Sequence, residues 1–329
     1  MIKIITEPEK IDLFEWEQFV LDHPHGNIFQ TQIMYDIYKS VDNYQPYVFI
    51  AERNGKIVGV LLAVLLKEKG IKGFFSKRCI IWGGPLVKEN TIIPILIKSL
   101  LSDVKNKCIY IEVRNFFDTS TYKAYFNQNG FKFIEWLNFI LDVNKNNDPL
   151  KLLKKNRRWE IRKSKRTGAI TTLAKSEDEV LKLLHILKNL YLHKIKKPLP
   201  PLEFFLNLFK LSDSKYFLVK YNNEIVGGTI CLIFKDTLYE MYECGYDHIK
   251  DVYVHSLATF APIEYSAKNN IRYFDFMGAG SPKQDYGVRK FKEKFGGQLV
   301  NYGRYIRINN TFLYHLGKLG LKFYQKLTF

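Results

Sequence analysis

Residues 49–60 read FIAERNGKIVGV and residues 217–228 read FLVKYNNEIVGG, and the two align without a gap at five identities in twelve. In each, an apolar run enters an Asn-centred turn and leaves as Ile-Val-Gly, the signature of a β-hairpin. At nearly the same offset Tyr110-Ile-Glu-Val113 resembles Tyr273-Phe-Asp-Phe276, each a predicted buried strand after an amphipathic helix. Short helices ending in glycine follow, over 122–130 and 288–297. Three matches in register point to an internal duplication, which fixes architecture before any single element is assigned. The chain reads as two copies of one α/β unit.

Turn and cap chemistry sets the predicted boundary. Asn144 to Asp148 is a polar loop, and Asp148 caps a helix whose first position is Pro149. Domain 1 is therefore expected over 1–147 and domain 2 over 148–310. The next helix opens with the capping box Ser176-Glu-Asp-Glu179 and carries Val180, Leu183, Leu184 and Leu187 on one face. A strand is expected over 299–308. The tail 311–329 reads as an amphipathic helix free to pack back on either domain, domain 1 being the expected one.

With 329 residues, 47% of them hydrophobic, the chain is neither disordered, collagen-like nor a disulfide-stapled miniprotein. The formal net charge is +17, from 50 Lys and Arg against 33 Asp and Glu. Such a surface attracts polyanions. The same composition is rich in Ile, Asn, Phe and Tyr, as AT-biased coding produces, so local clusters say more than the average. Cys79, Cys108, Cys231 and Cys244 lie 29, 123 and 13 residues apart, which fits neither a C-x-x-C clip nor a zinc site. No metal and a reduced, cytoplasmic setting are expected. The N-terminus has no signal-like apolar core, and the longest apolar run, Ile57 to Leu66, is too short to span a bilayer. His23, His25, His185, His193 and His255 have no Cys or Asp at nucleophile or metal spacing, which leaves a Ser-His-Asp or zinc hydrolase unsupported.

Two segments carry candidate chemistry. From Lys151 to Arg166 there are nine basic residues, Arg157, Arg158 and Arg162 among them, against the single acid Glu160. On a helix Lys154, Arg158, Arg162 and Lys165 share one face, with Leu153, Trp159 and Ile161 available to anchor the other. A solvated charged face would look the same; phosphate binding is the reading that relieves the self-repulsion. The second segment is Asp275-Phe-Met-Gly-Ala-Gly280, then Gln284-Asp-Tyr-Gly-Val-Arg289: a strand, a glycine loop and a helix. Backbone amides near Gly278 and Gly280 can meet a substrate there, or the glycines simply supply a turn. Gln284 to Arg289 fits the acyl-CoA pyrophosphate loop Q/R-x-x-G-x-G/A only in part, and ends in Arg. Asp275 can accept a proton from an attacking amine or can cap its own loop; Tyr242 is a further candidate contact.

The hairpin GKIVG, followed by a helix and AYFNQNGFKF (124–133), looks like the GNAT acyltransferase core. YFDFMGAG (273–280), DYGVRKFKEKFGG (285–297), KKNRRWEIRKSKRTG (154–168) and NIFQTQIMYDIYK (27–39) resemble the FemAB family of tandem-GNAT aminoacyltransferases and the related FemAB-like acetyltransferases, over nearly the whole chain. The resemblance implies an α/β fold of two tandem GNAT-like domains forming a cleft, each a mixed sheet flanked by helices. It implies transfer of an amino acid from aminoacyl-tRNA to an amine of a nucleotide- or lipid-linked muropeptide or other envelope precursor. No cofactor beyond the co-substrate is expected, with acyl-CoA as the alternative donor. Lys292 would stand near the reacting ester carbonyl, although Lys290, Lys292 and Lys294 also read as surface lysines between core Phe291 and Phe295. Lys39 would contact the acceptor's diphosphate. Arg114-Asn115 stands where the family tends to have Asp-Pro, which puts a muropeptide acceptor in question. Two other readings stay open: an acyl-CoA-dependent N-acyltransferase acting on a sugar or polysaccharide precursor, and a non-catalytic basic protein that binds RNA or a membrane surface.

Overall fold

A computed structural model describes residues 1–68, 70, 72–146 and 148–327. The chain forms two compact units, Met1–Glu135 with Asn301–Phe329, and Trp136–Val300. The strands are β1 (Lys3–Ile5), β2 (Tyr44–Arg53), β3 (Lys56–Leu66), β4 (Arg78–Trp82), β5 (Leu86–Val87), β6 (Tyr110–Arg114), β7 (Lys132–Ile134) and β8 (Asn138–Asp142). They continue with β9 (Ile170–Leu173), β10 (Ser214–Tyr221), β11 (Glu224–Phe234), β12 (Thr237–Gly245), β13 (Tyr273–Asp275), β14 (Gln298–Val300) and β15 (Arg304–Ile308). The first unit's sheet runs β1-β2-β3-β4-β6-β15-β7, with β5 beside β3; the second runs β9-β10-β11-β12-β13-β8-β14. One pair in each is parallel, β4 with β6 and β12 with β13.

The duplication extends to backbone detail. Asn54 and Gly55 turn the first hairpin with φ of +53° and +74°; Asn222 and Asn223 turn the second with +50° and +62°. Two consecutive left-handed residues give the turn whose twist matches its strands. Each hairpin slips register at the same aligned step, between Ala51 and Glu52 and between Val219 and Lys220, leaving Val58 and Val226 as the extra residues opposite. A shared bulge re-aims both hairpins alike.

The predicted boundary at 147 and 148 gives way to one at Trp136. Residue 147 itself lies outside the described residues. β8 pairs with β13 and β14, so its backbone groups are satisfied in the second sheet. The strand expected over 299–308 is two strands in two sheets: Gln298–Val300 completes the second, and Arg304–Ile308 returns to the first between β6 and β7. Asp148 does cap a turn, accepting from Leu150 N–H at 3.0 Å, but the turn is a short 3-10 segment, Pro149–Leu152. The tail helix, Thr311–Leu327, belongs to the first unit, where Tyr314 meets Tyr110 edge-on at 5.5 Å; residues 328 and 329 lie outside the described residues.

The returning strand is pinned by charge. Arg304 donates to Glu112 Oε1 at 2.6 Å and Arg114 donates to Glu112 Oε2 at 3.1 Å, while Arg114 stacks on Trp82 at 4.1 Å. Asn115 Nδ2 donates to the Tyr302 carbonyl at 2.8 Å. At Arg114-Asn115, the departure noted in the sequence, Asn115 thus ties the returning chain to the end of β6, while Arg114 holds the Glu112 carboxylate that Arg304 meets. Burial works to raise the Glu112 carboxyl, but Arg114 and Arg304 outweigh it and hold it at about 2. A depressed carboxyl stabilises the fold above its unfolded value and loses that contribution as pH falls through the folded one. Glu112→Gln is expected to cost about 3 kcal/mol at neutral pH by leaving two arginines unpaired. Its deficit should shrink as pH drops from about 4.5 toward 2; equal urea midpoints for variant and wild type at neutral pH would contradict this role.

Candidate active site in the second unit

The parallel pair β12–β13 lasts only from Thr237 opposite Tyr273 to Tyr239 opposite Asp275. Beyond it β12 runs on to Gly245 while β13 has ended, so the strands part. In the first unit the equivalent pair holds over five residues, and Gly83 N–H continues it by donating to the Arg114 carbonyl at 2.9 Å. The opening therefore belongs to the second unit.

Lys292 fills its root. From the helix Gly287–Glu293 its Nζ reaches the carbonyls of Phe276 at 2.5 Å and Gly278 at 3.2 Å, and Glu240 Oε2 at 3.2 Å on the other strand. An ammonium has three N–H donors, and these three acceptors use them. Phe291 and Phe295 on either side lock the helix: Phe295 is fully buried and meets Phe276 at 6.2 Å. Glu240 is only 4% exposed. Burial pushes its carboxyl up to about 7, against the pull of Lys292, with Glu243 adding to the rise. An ion pair this dry is strongly coupled to its surroundings.

The loop after β13 is built to hold that geometry. Asn138 Nδ2 donates to Asp275 Oδ1 at 2.7 Å, Met277 N–H donates to the same oxygen at 2.6 Å, and Gly278 N–H donates to Asn138 Oδ1 at 2.7 Å. Asp275 is buried, burial raises its carboxyl, and both hydrogen bonds serve the turn. The structure places Asp275 as the cap of its own loop rather than facing a substrate. Met277 and Gly278 both have positive φ, +56° and +127°, and a Cβ on Gly278 would stand 3.3 Å from the Trp136 indole nitrogen. Gly280 bridges to Leu137 with Tyr286 packed over it. Arg289 turns inward: it donates to the Ser281 carbonyl at 2.7 Å and also to the Gln284 carbonyl. The partial acyl-CoA loop, Gln284 to Arg289, is therefore occupied by its own arginine.

The basic segment is a helix, Lys155–Arg166, and it divides its charges. Arg157 is 5% exposed, paired with Glu160, bonded to Ser256 Oγ at 2.5 Å and laid over Phe291 at 4.3 Å and Phe295 at 5.0 Å. It braces the helix that carries Lys292, packed on the Phe291 and Phe295 rings and paired with Glu160, a correction to its expected place among the phosphate-facing cations. Trp159, expected as an anchor, is about half exposed beside Tyr253. Lys154, Lys163 and Lys165 pair with Glu293, Asp251 and Glu264. Lys155, Arg158, Arg162 and Arg166 make no ion pair among the described residues. Their spacing of three, four and four puts them in one row.

Tyr242, on β12, sits among Tyr191 at 6.2 Å and Phe205 at 5.1 Å. Lys39 ends the helix Gln32–Lys39 in the other unit and is exposed. That helix is set by Gln30, which is fully buried, accepts from Leu62 N–H at 2.8 Å and donates to the Trp82 carbonyl at 2.8 Å. Lys292, Asp275, Gly278, Gly280 and Arg289 come together around one loop; Arg158 and Arg162 lie on the neighbouring basic helix.

Residues 152–292 match the family described as Acetyltransferase (GNAT) domain. The chain has a tandem-GNAT acyltransferase fold. Among solved structures it is similar to FemX, at TM-score 0.69 and 15% identity, covering 95% of this chain and 99% of that one. It is also similar to L-PGS from Bacillus licheniformis, at TM-score 0.60 and 14% identity over 95% and 96% of the two chains. A tandem GNAT protein from the clavulanic acid biosynthesis pathway gives TM-score 0.59 and 8% identity over 94% and 99%. No curated protein matches the chain in sequence. The FemAB-like resemblance is thus matched in fold across both units.

One group of the second unit, Glu240, escaped the sequence analysis, and another, His255, was set aside there for want of a partner. Glu240 was visible only as one of the two acids, with Glu243, on β12. His255, at the start of the helix Val254–Lys268, bridges Glu243 Oε1 at 2.8 Å and Asp247 Oδ1 at 3.1 Å; burial opposes its protonation, but the two carboxylates prevail and raise it. Asp247, Asp251 and His255 help line a cavity of about 310 Å³ with Arg157 and Phe291. A helix N-terminus attracts phosphate when its amides stand free; here carboxylates occupy the approach.

Glu240 gives a pH test. A carboxyl raised from 4.5 to about 7 binds its proton more tightly folded than unfolded, so stability falls as pH climbs through that window. Glu240→Gln removes this loss and should gain about 2–3 kcal/mol on the wild type between pH 5 and pH 8 in urea unfolding. A difference that stays flat over that range would refute the raised carboxyl.

Proposed function

We propose that this chain forms an amide by moving an aminoacyl group from tRNA to an amine of a cell-envelope precursor. The observation that carries the reading is the row Lys155, Arg158, Arg162 and Arg166, four cations on one helix face left without acidic partners among the described residues, on the GNAT unit that also holds Lys292. Like charges so spaced repel, and a polyanion relieves them. The carboxylates before the helix Val254–Lys268 and the inward Arg289 weigh against a diphosphate-bearing acyl-CoA.

The reaction asks little of the protein. The amine nitrogen bonds to the ester carbonyl carbon, the carbonyl oxygen becomes an oxyanion, and collapse breaks the ester C–O bond to release a ribose hydroxyl. One proton of the attacking ammonium passes to that hydroxyl and the other is lost to solvent. Lys292 supports the oxyanion by exchanging one of its two 3.2 Å contacts, to Gly278 or to Glu240, for the new oxygen. Phe276 and the Asp275–Asn138 turn keep its ammonium in place meanwhile. The muropeptide amine of FemAB-like proteins is the acceptor this reading favours, with Lys39 on its diphosphate.

Charged tRNA and acetyl-CoA, each radiolabelled in the acyl group, should be offered in parallel with nucleotide-linked muropeptides. Transfer from tRNA is the expected result; transfer from acetyl-CoA alone would replace this reading with the acyl-CoA-dependent one. Lys292→Ala should lower turnover about 100-fold or more at nearly unchanged tRNA affinity. Arg158→Glu with Arg162→Glu should weaken tRNA binding more than about tenfold and flatten its salt dependence. Salt-sensitive tRNA binding with no turnover from any donor would leave a binding protein on a GNAT fold.

A further inference from the structure

The helix Thr311–Leu327 meets the first unit through the face that carries Tyr314 and Gly317. Tyr314 meets Tyr110, and Gly317 lets the backbone approach the helix Lys72–Ser76, where an added Cβ would stand 3.0 Å from the Phe75 carbonyl. Phe312, Leu316, Leu319 and Phe323 follow at steps of four, three and four, which puts them in a single stripe on the opposite side. All four are exposed, Phe312 by 74% and Phe323 by 62%. On the adjoining short helix Phe74 and Phe75 are exposed as well. Isolated apolar residues on a surface need no explanation, but a contiguous aromatic and aliphatic stripe does.

The charge of the same helix selects what covers it. Residues 311–327 contain no Asp or Glu, and Lys318, Lys322 and Lys326 recur every fourth residue. Among the described residues no helix is long and apolar enough to cross a membrane. A helix with an apolar stripe, lysines and no acids lies in the interface of a bilayer, its apolar side chains among the upper acyl carbons and its cations at anionic headgroups. We propose that Thr311–Leu327, with Phe74 and Phe75 beside it, seats this chain on an anionic lipid surface. This contact is independent of the donor and acceptor of the acyl transfer.

Flotation of the full chain with phosphatidylcholine vesicles, with and without phosphatidylglycerol, tests it. The chain should float with the anionic vesicles and be released by high salt, and stay behind with pure phosphatidylcholine. Phe312→Ser with Leu319→Ser and Phe323→Ser should lower the bound fraction about tenfold or more, and Lys318→Glu about fivefold, each with an unchanged circular dichroism spectrum and melting temperature. These positions are exposed, so folding survives their change. No flotation of the wild type, or equal flotation of the triple serine variant, overturns the proposal. So does a wild-type dimer that the serine changes dissolve while vesicles bind neither form.

Discussion

Where β12 and β13 separate, two carbonyls and a carboxylate face a place that water barely reaches, and one ammonium satisfies all three. Any sheet that opens must answer for the backbone groups it leaves unpaired. The first unit avoids the question by keeping β4 and β6 paired and covering their ends with the stack of Arg114 on Trp82. The second unit opens and pays with a lysine. Much of its local construction serves to hold that lysine: the Asp275–Asn138 turn fixes the carbonyls, Phe291 and Phe295 fix the helix, and Arg157 braces both rings. The duplicated halves differ at this parallel pair, which stays closed over five residues in one and opens after three in the other.

The duplication itself was legible because hairpins are local. An Asn in the turn, Ile-Val-Gly after it and a shared bulge lie within twelve residues, and local rules govern them. The capping box at Ser176 was legible for the same reason; Ser176 accepts from Glu179 N–H, and Val180, Leu183, Leu184 and Leu187 are buried as their spacing requires. The placement of β8 and β15 was not. Each is a short alternating strand whose neighbour lies far away in sequence, and nothing in its own residues says which sheet will take it. The pin that decides the case for β15, Glu112 with Arg304, is of the same kind as Glu240 with Lys292: charges far apart in sequence that meet only after folding.

Arg157 is the instructive failure, because its signal was present. Arg157, Ile161 and Ser164 stand at steps of four and three and all three are buried, so the helix's inner face runs through an arginine. Counting charges along the segment hides this, whereas following the apolar period exposes it. Trp159, off that period, stays outside despite its size. Composition proposes a face, and periodicity decides it.

The same division explains how a chain of net charge +17 confines the unpaired cations of its basic helix to one row. On the basic helix, pairing with Glu160, Glu264, Glu293 and Asp251 consumes four cations and leaves the row from Lys155 to Arg166. A bulk excess of lysine would scatter unpaired charges over all faces, but here the four acids that pair with this segment meet cations off the row. Charge pairing at a surface contributes little to stability, so acids placed this way shape the field more than they hold the fold. What remains is a line of positive charge with a defined direction along one helix.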